Sequence, residues 1–394
     1  LEIAPPTSEP RTADEMSEWD RAIPEGREVL RIEAVPSGGS RVLLFLQLRG
    51  LGRTMSGTAS LLELDVSTGE WAAHHPFAWR VTPVASAAGK VVCYALDSRP
   101  EDGSLAHSLW LLDTENWTSV PLIEKSRNED GDVDFMLMSL VAISRDGKSG
   151  TAFVYRDHPD THRTQNFALV FDSFDAGPTV VELRRTPRHS ALLPDATGML
   201  YVIDELMQPI DSDRMVGIDP FVDTLDARVL LKRSMFKEQQ TDTITALSLD
   251  RREIWGMALS PDGQLLGLLN YRSEDEGGAI IFVSMQTGEA TISELNGFER
   301  RYPTPPLVWS PSSDALLCGF TRSGSGTQQF TDVAAFAASG EELGRWRFPG
   351  KTLSSKFWLP GEEHPYAVVD NEDIVQLLPD GAFRPVWSLR LLDK

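Results

Sequence analysis

The amino-acid sequence predicts an all-β protein, a seven-bladed β-propeller of four-stranded antiparallel blades. The first observation is a turn signal of the Ser-Pro-Asp-Gly type that recurs along the whole chain. The second is that an apolar run of strand length follows each of these turns. Apolar runs of about four to eight residues between turn-forming residues are typical of strands rather than helices.

The recurring turns set the length of the repeat. Their anchor positions are Gly39, Gly89, Gly147, Gly198, Gly263, Ser313 and Gly361. Successive anchors are 50, 58, 51, 65, 50 and 48 residues apart, which gives seven units of about 50 residues. Glycine suits such turns because the chain takes a positive φ there, which glycine adopts at no steric cost.

Each unit contains enough strand signals for a small sheet. An apolar strand precedes the first turn, and a second strand, a polar loop, a third strand, a second turn and an outer strand follow it. A four-stranded sheet of this size cannot bury both of its faces alone. Radial stacking of the units buries the faces between neighbours, and this arrangement is a β-propeller.

The repeat divides the chain into a tether and one propeller domain over residues 28–394. The predicted blades are 28–76, 77–126, 134–186, 187–236, 252–298, 299–349 and 350–392. Residues 232–253 are interpreted as an insertion, either a helical excursion or a long loop, that accounts for the 65-residue spacing. Residues 1–27 are rich in Pro, Glu and Ser, which indicates a flexible N-terminal tether.

The clearest unit carries a family resemblance. Its sequence SPDGQLLGLLNYRSEDEGGAIIFVSMQTGEATISEL resembles the repeat of TolB-like and related WD-repeat-like propellers, in which a turn, a strand, an Arg-containing polar loop, a second strand and a Gly turn follow in this order. The resemblance covers residues 28–392. TolB-type proteins resemble six-bladed propellers preceded by an α/β domain, whereas this chain shows seven units after a short segment. The resemblance therefore implies the fold and not the role of the Tol system.

Composition and charge limit the classes of partner that the chain is expected to bind. The chain has 37 Lys and Arg residues against 58 Asp and Glu residues, a formal charge of −21, so we expect it to repel nucleic acid and anionic membrane surfaces. No apolar stretch is long enough for a transmembrane helix, and membrane tethering would use the N-terminal segment. A removed signal upstream of Leu1 would suit an extracytoplasmic location, whether periplasmic, lipid-anchored or secreted.

The two cysteines predict neither a metal site nor a disulfide. Cys93 and Cys318 lie inside apolar runs of the second and sixth units, where a thiol usually behaves as a small buried hydrophobe. Because these units are well separated around the ring, we expect both thiols to stay free.

Basic residues are the binding candidates. They are Arg53, Arg99, Arg156, Arg272 and Arg322 in the long loops, and Lys232, Arg233 and Lys237 in the predicted insertion. A ring of arginines at the channel mouth would suit carboxylates or phosphates. The alternative is that each arginine pairs with a loop acid, such as Asp157 or Glu274, as part of the packing of the repeat.

Two sequence patterns give weak signals for metal binding. His158 and His162 are four residues apart beside acidic residues, a donor set suited to zinc or manganese, but Pro159 favours a solvated loop. Asp130, Asp132 and Asp134 resemble the start of a calcium loop, yet the Gly and the closing Glu of an EF-hand do not follow. A solvated connector is the favoured interpretation there, and we predict no cofactor.

The catalytic motifs of common enzyme classes are not found. The sequence has no nucleophile elbow, no P-loop and no dinucleotide fingerprint. We therefore expect a non-enzymatic, monomeric propeller that binds a protein or another macromolecular partner through its loop-rich face, in an exported or envelope-associated assembly. The alternative is a hydrolase or lyase acting on a saccharide or lactone in the central channel.

Overall fold

A computed structural model shows the fold of the chain, and the elements numbered along the described residues are all β-strands. The structure describes residues 28–49, 60–74, 81–98, 105–123, 136–144, 146–158, 163–183, 190–192, 199–205, 227–234, 241–248, 253–273, 277–296, 302–321, 330–349 and 351–389. The strands form seven four-stranded antiparallel sheets, and each sheet uses four consecutive strands.

The first four sheets cover the N-terminal part of the described chain. The first contains β1 (Glu28–Gly38), β2 (Arg41–Arg49), β3 (Ser60–Asp65) and β4 (Trp71–His74). The second contains β5 (Val81–Ala87), β6 (Lys90–Ser98), β7 (Leu105–Asp113) and β8 (Thr118–Ile123). The third contains β9 (Met136–Ile143), β10 (Gly150–His158), β11 (Arg163–Phe171) and β12 (Thr179–Leu183). The fourth contains β13 (Ser190–Leu192), β14 (Met199–Glu205), β15 (Ala227–Ser234) and β16 (Thr241–Ser248).

The last three sheets follow the same order. The fifth contains β17 (Glu253–Leu259), β18 (Leu265–Ser273), β19 (Gly277–Ser284) and β20 (Ala290–Glu294). The sixth contains β21 (Tyr302–Trp309), β22 (Ala315–Thr321), β23 (Phe330–Ala337) and β24 (Glu342–Pro349). The seventh contains β25 (Leu353–Phe357), β26 (Tyr366–Val369), β27 (Asp373–Leu377) and β28 (Phe383–Ser388).

The prediction of a seven-bladed propeller is wrong. Six of the described sheets are regular blades of the predicted kind, whereas the fourth departs from the repeat. Its first strand, β13, has only three residues, and residues 206–226 separate β14 from β15. The 65-residue spacing between Gly198 and Gly263 reflects this difference, because 21 residues separate β14 from β15.

The predicted insertion at residues 232–253 is also wrong. These residues contain the end of β15, the whole of β16 and the first residue of β17. The fourth sheet therefore ends at Ser248 rather than at the predicted boundary near residue 236. The sequence was misleading because β16 is an outer strand, and outer strands carry many polar residues on their solvent side.

Among the described strands, none is shared between the first and last sheets, and the ring closes through side-chain contacts. The first sheet uses β1, and the last sheet is built from β25–β28 alone. The Ala34 backbone N–H donates to Ser355 Oγ at 3.3 Å, and the Ile32 N–H donates to Asn371 Oδ1 at 3.4 Å. Apolar residues of the first and last sheets share one buried cluster. The two ends of the propeller therefore abut.

The core lies between neighbouring sheets. Separate buried clusters join the first and second sheets, the second and third, the fifth and sixth, and the sixth and seventh. Successive residues of a strand face opposite neighbours, as in β22, where Leu316 packs toward the fifth sheet and Leu317 toward the seventh. The first, second, sixth and seventh sheets are thus buried on both faces, as a radial stack requires.

Side-chain hydrogen bonds fix the turns that the sequence revealed. Ser260 Oγ donates to Asp262 Oδ1 at 2.6 Å and accepts from the Leu265 backbone N–H at 2.9 Å. The same Ser–Asp pair recurs in the third and sixth sheets, as Ser144 with Asp146 and Ser310 with Asp314. The aspartates of these turns are therefore engaged in turn structure.

The two ends of the strands differ. We call the end that carries residues 260–264 and 285–289 the turn face, and the opposite end, where the second strand of a sheet leads to the third, the loop face. Within the described ranges, no helix has the length and apolarity that crossing a membrane requires.

Candidate functional site

The structure places some of the candidate residues and leaves others outside the described ranges. Arg156 and Arg272 lie near the loop-face ends of β10 and β18, and His158 is the last residue of β10. Arg53, Arg99, Arg322, Lys237, His162, Asp130, Asp132 and Asp134 lie outside the described residues. Their roles stay predictions.

Lys232 and Arg233 are not brought together with the loop-face arginines. Both lie near the end of β15, and Arg233 is paired with Leu200 near the start of β14. The start of a second strand and the end of a third strand lie at the turn face. The two groups of basic candidates therefore occupy opposite faces of the propeller.

Two groups of charged side chains lie toward the loop-face ends of the sixth and seventh sheets, and we call them together the loop-face cluster. They are the pair Asp332 and Arg347 on the sixth sheet, and Lys351, Asp370 and Asp373 at the seventh. Arg347 Nε is 3.1 Å from Asp332 Oδ1. Lys351 Nζ is 3.2 Å from Asp370 Oδ2 and 3.9 Å from Asp373 Oδ2.

The pair of Asp332 and Arg347 combines a buried acid with an exposed base. The two residues are register partners on β23 and β24. The Asp332 side chain is 0% exposed, whereas the Arg347 side chain is 52% exposed. A buried carboxylate is costly unless it is paired. Asp332 therefore holds the guanidinium of Arg347 in one direction at the surface.

The remaining residues of the loop-face cluster, Lys351, Asp370 and Asp373, are positioned by two hydrogen bonds between Asp370 and Thr352, which we call the backbone clamp. Asp370 has a φ of 56°, in the left-handed region that is uncommon for residues other than glycine. Its backbone N–H donates to the Thr352 carbonyl at 2.8 Å, and its Oδ1 accepts from the Thr352 N–H at 2.8 Å. These two bonds tie the start of β25 to the link between β26 and β27. Lys351 is thereby held next to Asp370.

A second polar group lies on the first strands, which contact one another around the centre of the ring. Arg31 Nε is 3.0 Å from Glu33 Oε1 on β1. The buried amide of Gln47 donates to Glu33 Oε1 at 3.5 Å and to Thr82 Oγ1 of the second sheet at 3.4 Å. This group links two blades beside the central channel.

Lys356 is a buried base on β25. Its side chain is 5% exposed, and burial lowers the pKa of its ammonium group to about 8. A lysine with such a pKa is partly neutral in mildly alkaline solution. The neighbouring thiol of Cys318 has a pKa that burial raises to about 12.

The arrangement of these charged groups supports binding of a partner better than catalysis. The charged groups of the loop-face cluster and of the channel wall form ion pairs and hydrogen bonds with one another. Among the residues that the structure describes, no three His, Cys, Asp or Glu side chains come together as a metal-binding group. Opposite charges held at fixed positions are suited to a complementary partner surface.

The sequence did not single out Asp332 and Arg347. A weak signal was present, since Asp332 is the one charged residue in the otherwise uncharged strand FTDVAAFA. A charged residue inside a run of buried strand residues usually has a partner across the sheet. The identity of that partner depends on the strand register, which the sequence does not show.

Comparisons with known proteins support the fold alone. No family model matches the chain, and no curated protein matches it. An acylaminoacyl peptidase in complex with Z-Gly-Gly-Phe-chloromethyl ketone is 10% identical with a TM-score of 0.57, over 93% of this chain and 54% of that one. The chain thus spans about half the length of that enzyme.

Two further structures extend the comparison. The β-propeller domain of the Trilobed protease from Pyrococcus furiosus, described as having an open velcro topology, is 10% identical with a TM-score of 0.53, over 91% of this chain and 96% of that one. The putative TolB from Agrobacterium tumefaciens is 15% identical with a TM-score of 0.41, over 79% and 96%. The fold, with the similarity to the two structures whose TM-scores exceed 0.5, defines the class of the protein, which is a β-propeller protein.

Proposed function

We propose that the chain is a non-enzymatic β-propeller that binds a protein or another macromolecular partner through its loop face. The single observation that supports this proposal is Arg347, a half-exposed arginine aimed by a fully buried aspartate, Asp332. Arginine is enriched among the residues that dominate binding energy at protein interfaces. A side chain that is already held in place loses less conformational entropy when a partner binds.

The rest of the loop-face cluster fits the same role. Lys351 lies between Asp370 and Asp373, and the backbone clamp at Thr352 holds these groups in place. The loop face thus presents both signs of charge on a rigid scaffold. Binding residues are usually found on connecting segments that such a scaffold positions.

The proposal includes an extracytoplasmic location. Residues 1–27 would tether a monomeric propeller to an exported or envelope-associated assembly. Fractionation of the native host, with an antibody against the propeller, tests this part. Recovery of the protein with the cytoplasmic fraction alone contradicts it.

The hydrolase or lyase alternative is less well supported. It needs an acid and a base that converge in the central channel. The described carboxylate of the channel wall, Glu33, is engaged by Arg31 and Gln47. That carboxylate therefore has a structural role in linking two blades.

Substitutions on the two faces test the proposal. The test variants are Arg347→Ala and Lys351→Ala, and the matched control is Arg41→Ala, which removes an exposed arginine paired with Glu63 on the turn face. Partners cross-linked to the protein in its native host are quantified by mass spectrometry. We expect the loop-face variants to lose a partner that the control retains. Equal recovery with all three variants, each folded as judged by thermal melting, overturns the proposal.

A further inference from the structure

The outer rim of the propeller carries a repeated feature that the loop-face proposal does not use. In each of the six regular blades, the fourth strand exposes one large apolar side chain: Trp71, Val120, Val180, Ile292, Leu343 and Phe383. The fourth strand of a blade is also an edge strand, with backbone N–H and C=O groups that no further described strand pairs. Such an edge is a template for another strand.

Most of the edges whose side chains are described throughout are guarded. The strand β4 is only four residues long. Pro121 interrupts β8, and Pro385 lies next to a register irregularity in β28. The strand β24 carries Arg345 and a register irregularity. Short length, proline, irregular register and inserted charge are the devices by which proteins protect free edges.

The strand β20, with five residues, has fewer of these guards. Its sequence ATISE contains no proline and no basic residue, and it pairs with β19 in continuous register from Ala290 to Glu294. Ile292 is 56% exposed, more than any other large apolar side chain described. An edge strand in regular register, with an exposed apolar side chain, accepts an added strand.

The pattern of hydrogen bonds between β19 and β20 shows which backbone groups of β20 are available to an added strand. The Leu295 N–H donates to the Gly278 carbonyl at 2.8 Å, which makes these residues a hydrogen-bonded pair. Hydrogen-bonded pairs alternate with non-hydrogen-bonded pairs along an antiparallel ladder. Ile292 belongs to the other set, so its backbone N–H and C=O point outward from the sheet.

Acidic residues near the edge of β20 favour a basic partner strand. Glu289, Glu294 and Glu341 are exposed near β20, and Gly340 next to Glu341 lies close to the Thr291 side chain. A second copy of the chain would bring acids against acids in a protein of charge −21. The Glu-rich segment 1–27 of the same chain would also bring acids against the acids of this edge. A basic strand from another protein avoids this repulsion.

We propose that the outer edge of β20 binds an extended, basic segment of another protein as a fifth strand of the fifth blade. Backbone hydrogen bonds to Ile292 provide the register, and the Ile292 side chain packs against apolar residues at alternate positions of the segment. The surrounding glutamates attract its Lys and Arg side chains. This site lies on the rim and is independent of the loop-face cluster.

A defined peptide tests the proposal with the full chain. The probe is fluorescent acetyl-Lys-Val-Lys-Val-Lys-Val-Lys-amide, and its control is the same peptide N-methylated at alternate residues, which keeps the charge and removes backbone donors. Fluorescence anisotropy gives the affinity, and hydrogen exchange shows the protected amides. We expect the control to bind at least about tenfold more weakly, and we expect the probe to protect the Ile292 amide.

A proline substitution locates the site. Ile292→Pro removes an outward N–H and leaves the ladder to β19 intact, so we expect it to abolish edge binding, whereas Ile292→Thr keeps the N–H and retains most of the affinity. Equal binding of the two peptides means attraction by charge alone and overturns the proposal, even if the proline variant fails to fold. Self-association of the wild-type chain that Ile292→Pro abolishes also overturns it, because the edge would then serve a second copy.

Discussion

Gly267 of β18 lies against Leu316 of β22, so closely that a Cβ atom on Gly267 would be 2.6 Å from Leu316 Cδ2. It would also be 3.2 Å from Trp309 Cζ2. The fifth and sixth sheets are therefore in direct contact at a position where only glycine leaves enough room. Interiors packed at this density have no space for an added methyl group.

Gly267→Ala should destabilise the protein by about 1–3 kcal/mol, because the added methyl group forces the two sheets apart. Urea unfolding measures the change in the free energy of unfolding. The control is Gly177→Ala, since nothing lies within 4 Å of a Cβ at that position. Leu316→Val in the Gly267→Ala background should recover part of the loss. An unchanged stability of the single variant contradicts the described packing.

Ser260→Ala should cost about 1–2 kcal/mol, because it removes the hydroxyl that joins Asp262 to the Leu265 N–H across the turn. Thermal or urea unfolding measures the loss. The control is Ser339→Ala, an exposed serine in the turn between β23 and β24. If both variants unfold at the same urea concentration, the Ser–Asp pair does not stabilise the turn.

Asp314→Asn should change how stability depends on pH. The Ser310 and Ser312 hydroxyls donate to the carboxylate of Asp314 and hold its pKa below the usual value. A carboxylate with a depressed folded pKa stabilises the protein above the unfolded pKa of about 3.9, and the contribution is lost as the pH falls through the folded value. The stability difference between wild type and variant should therefore shrink from pH 5 toward pH 3. A constant difference contradicts the prediction.

The strands could be predicted from the sequence because a hairpin is a local feature. Gly263 and Gly288 both have a positive φ, near 73°. Because glycine is favoured at positive φ, these turns can be recognised from the sequence. The irregular fourth sheet could not be predicted in the same way. The 65-residue spacing shows that this unit is longer but not where the extra residues lie, and the polar outer strand β16, TDTITALS, gives only a weak strand signal.

The loop-face cluster could not be predicted because it depends on register across strands. Asp332 and Arg347 are opposite each other only after the irregularity between Ala335 and Phe336. A change of register by one residue would turn the Arg347 side chain to the other face of the sheet. Local sequence therefore identifies Asp332 as unusual but does not identify its partner.

The two thiols should both be free and protected in the folded protein. The prediction of free cysteines is confirmed, since Cys93 lies in the cluster between the first and second sheets and Cys318 in that between the fifth and sixth. Burial raises the pKa of both thiols. We expect almost no reaction with Ellman's reagent in native buffer and two thiols per chain in guanidinium chloride. Detection of a single thiol, or of none, after denaturation without reductant contradicts this.

Lys356→Met should stabilise the protein at neutral pH by about 1–3 kcal/mol, because methionine fills the site without a buried charge. The folded pKa of Lys356, about 8, lies below the unfolded value. Between these two values the unfolded chain binds more protons, so the stability of the wild type rises with pH. The advantage of Lys356→Met should therefore shrink as the pH rises from 8 to 10, as measured by urea unfolding.

The control for this experiment is Lys351→Met, which removes a lysine with a more exposed side chain from the same region. A surface ion pair contributes at most about 1 kcal/mol. The Cys318 thiol, whose pKa is about 12, does not titrate in this range. A stability difference between wild type and Lys356→Met that stays constant from pH 7 to pH 10 would mean that Lys356 keeps its proton in the folded protein, and that the blade interface hydrates this ammonium group.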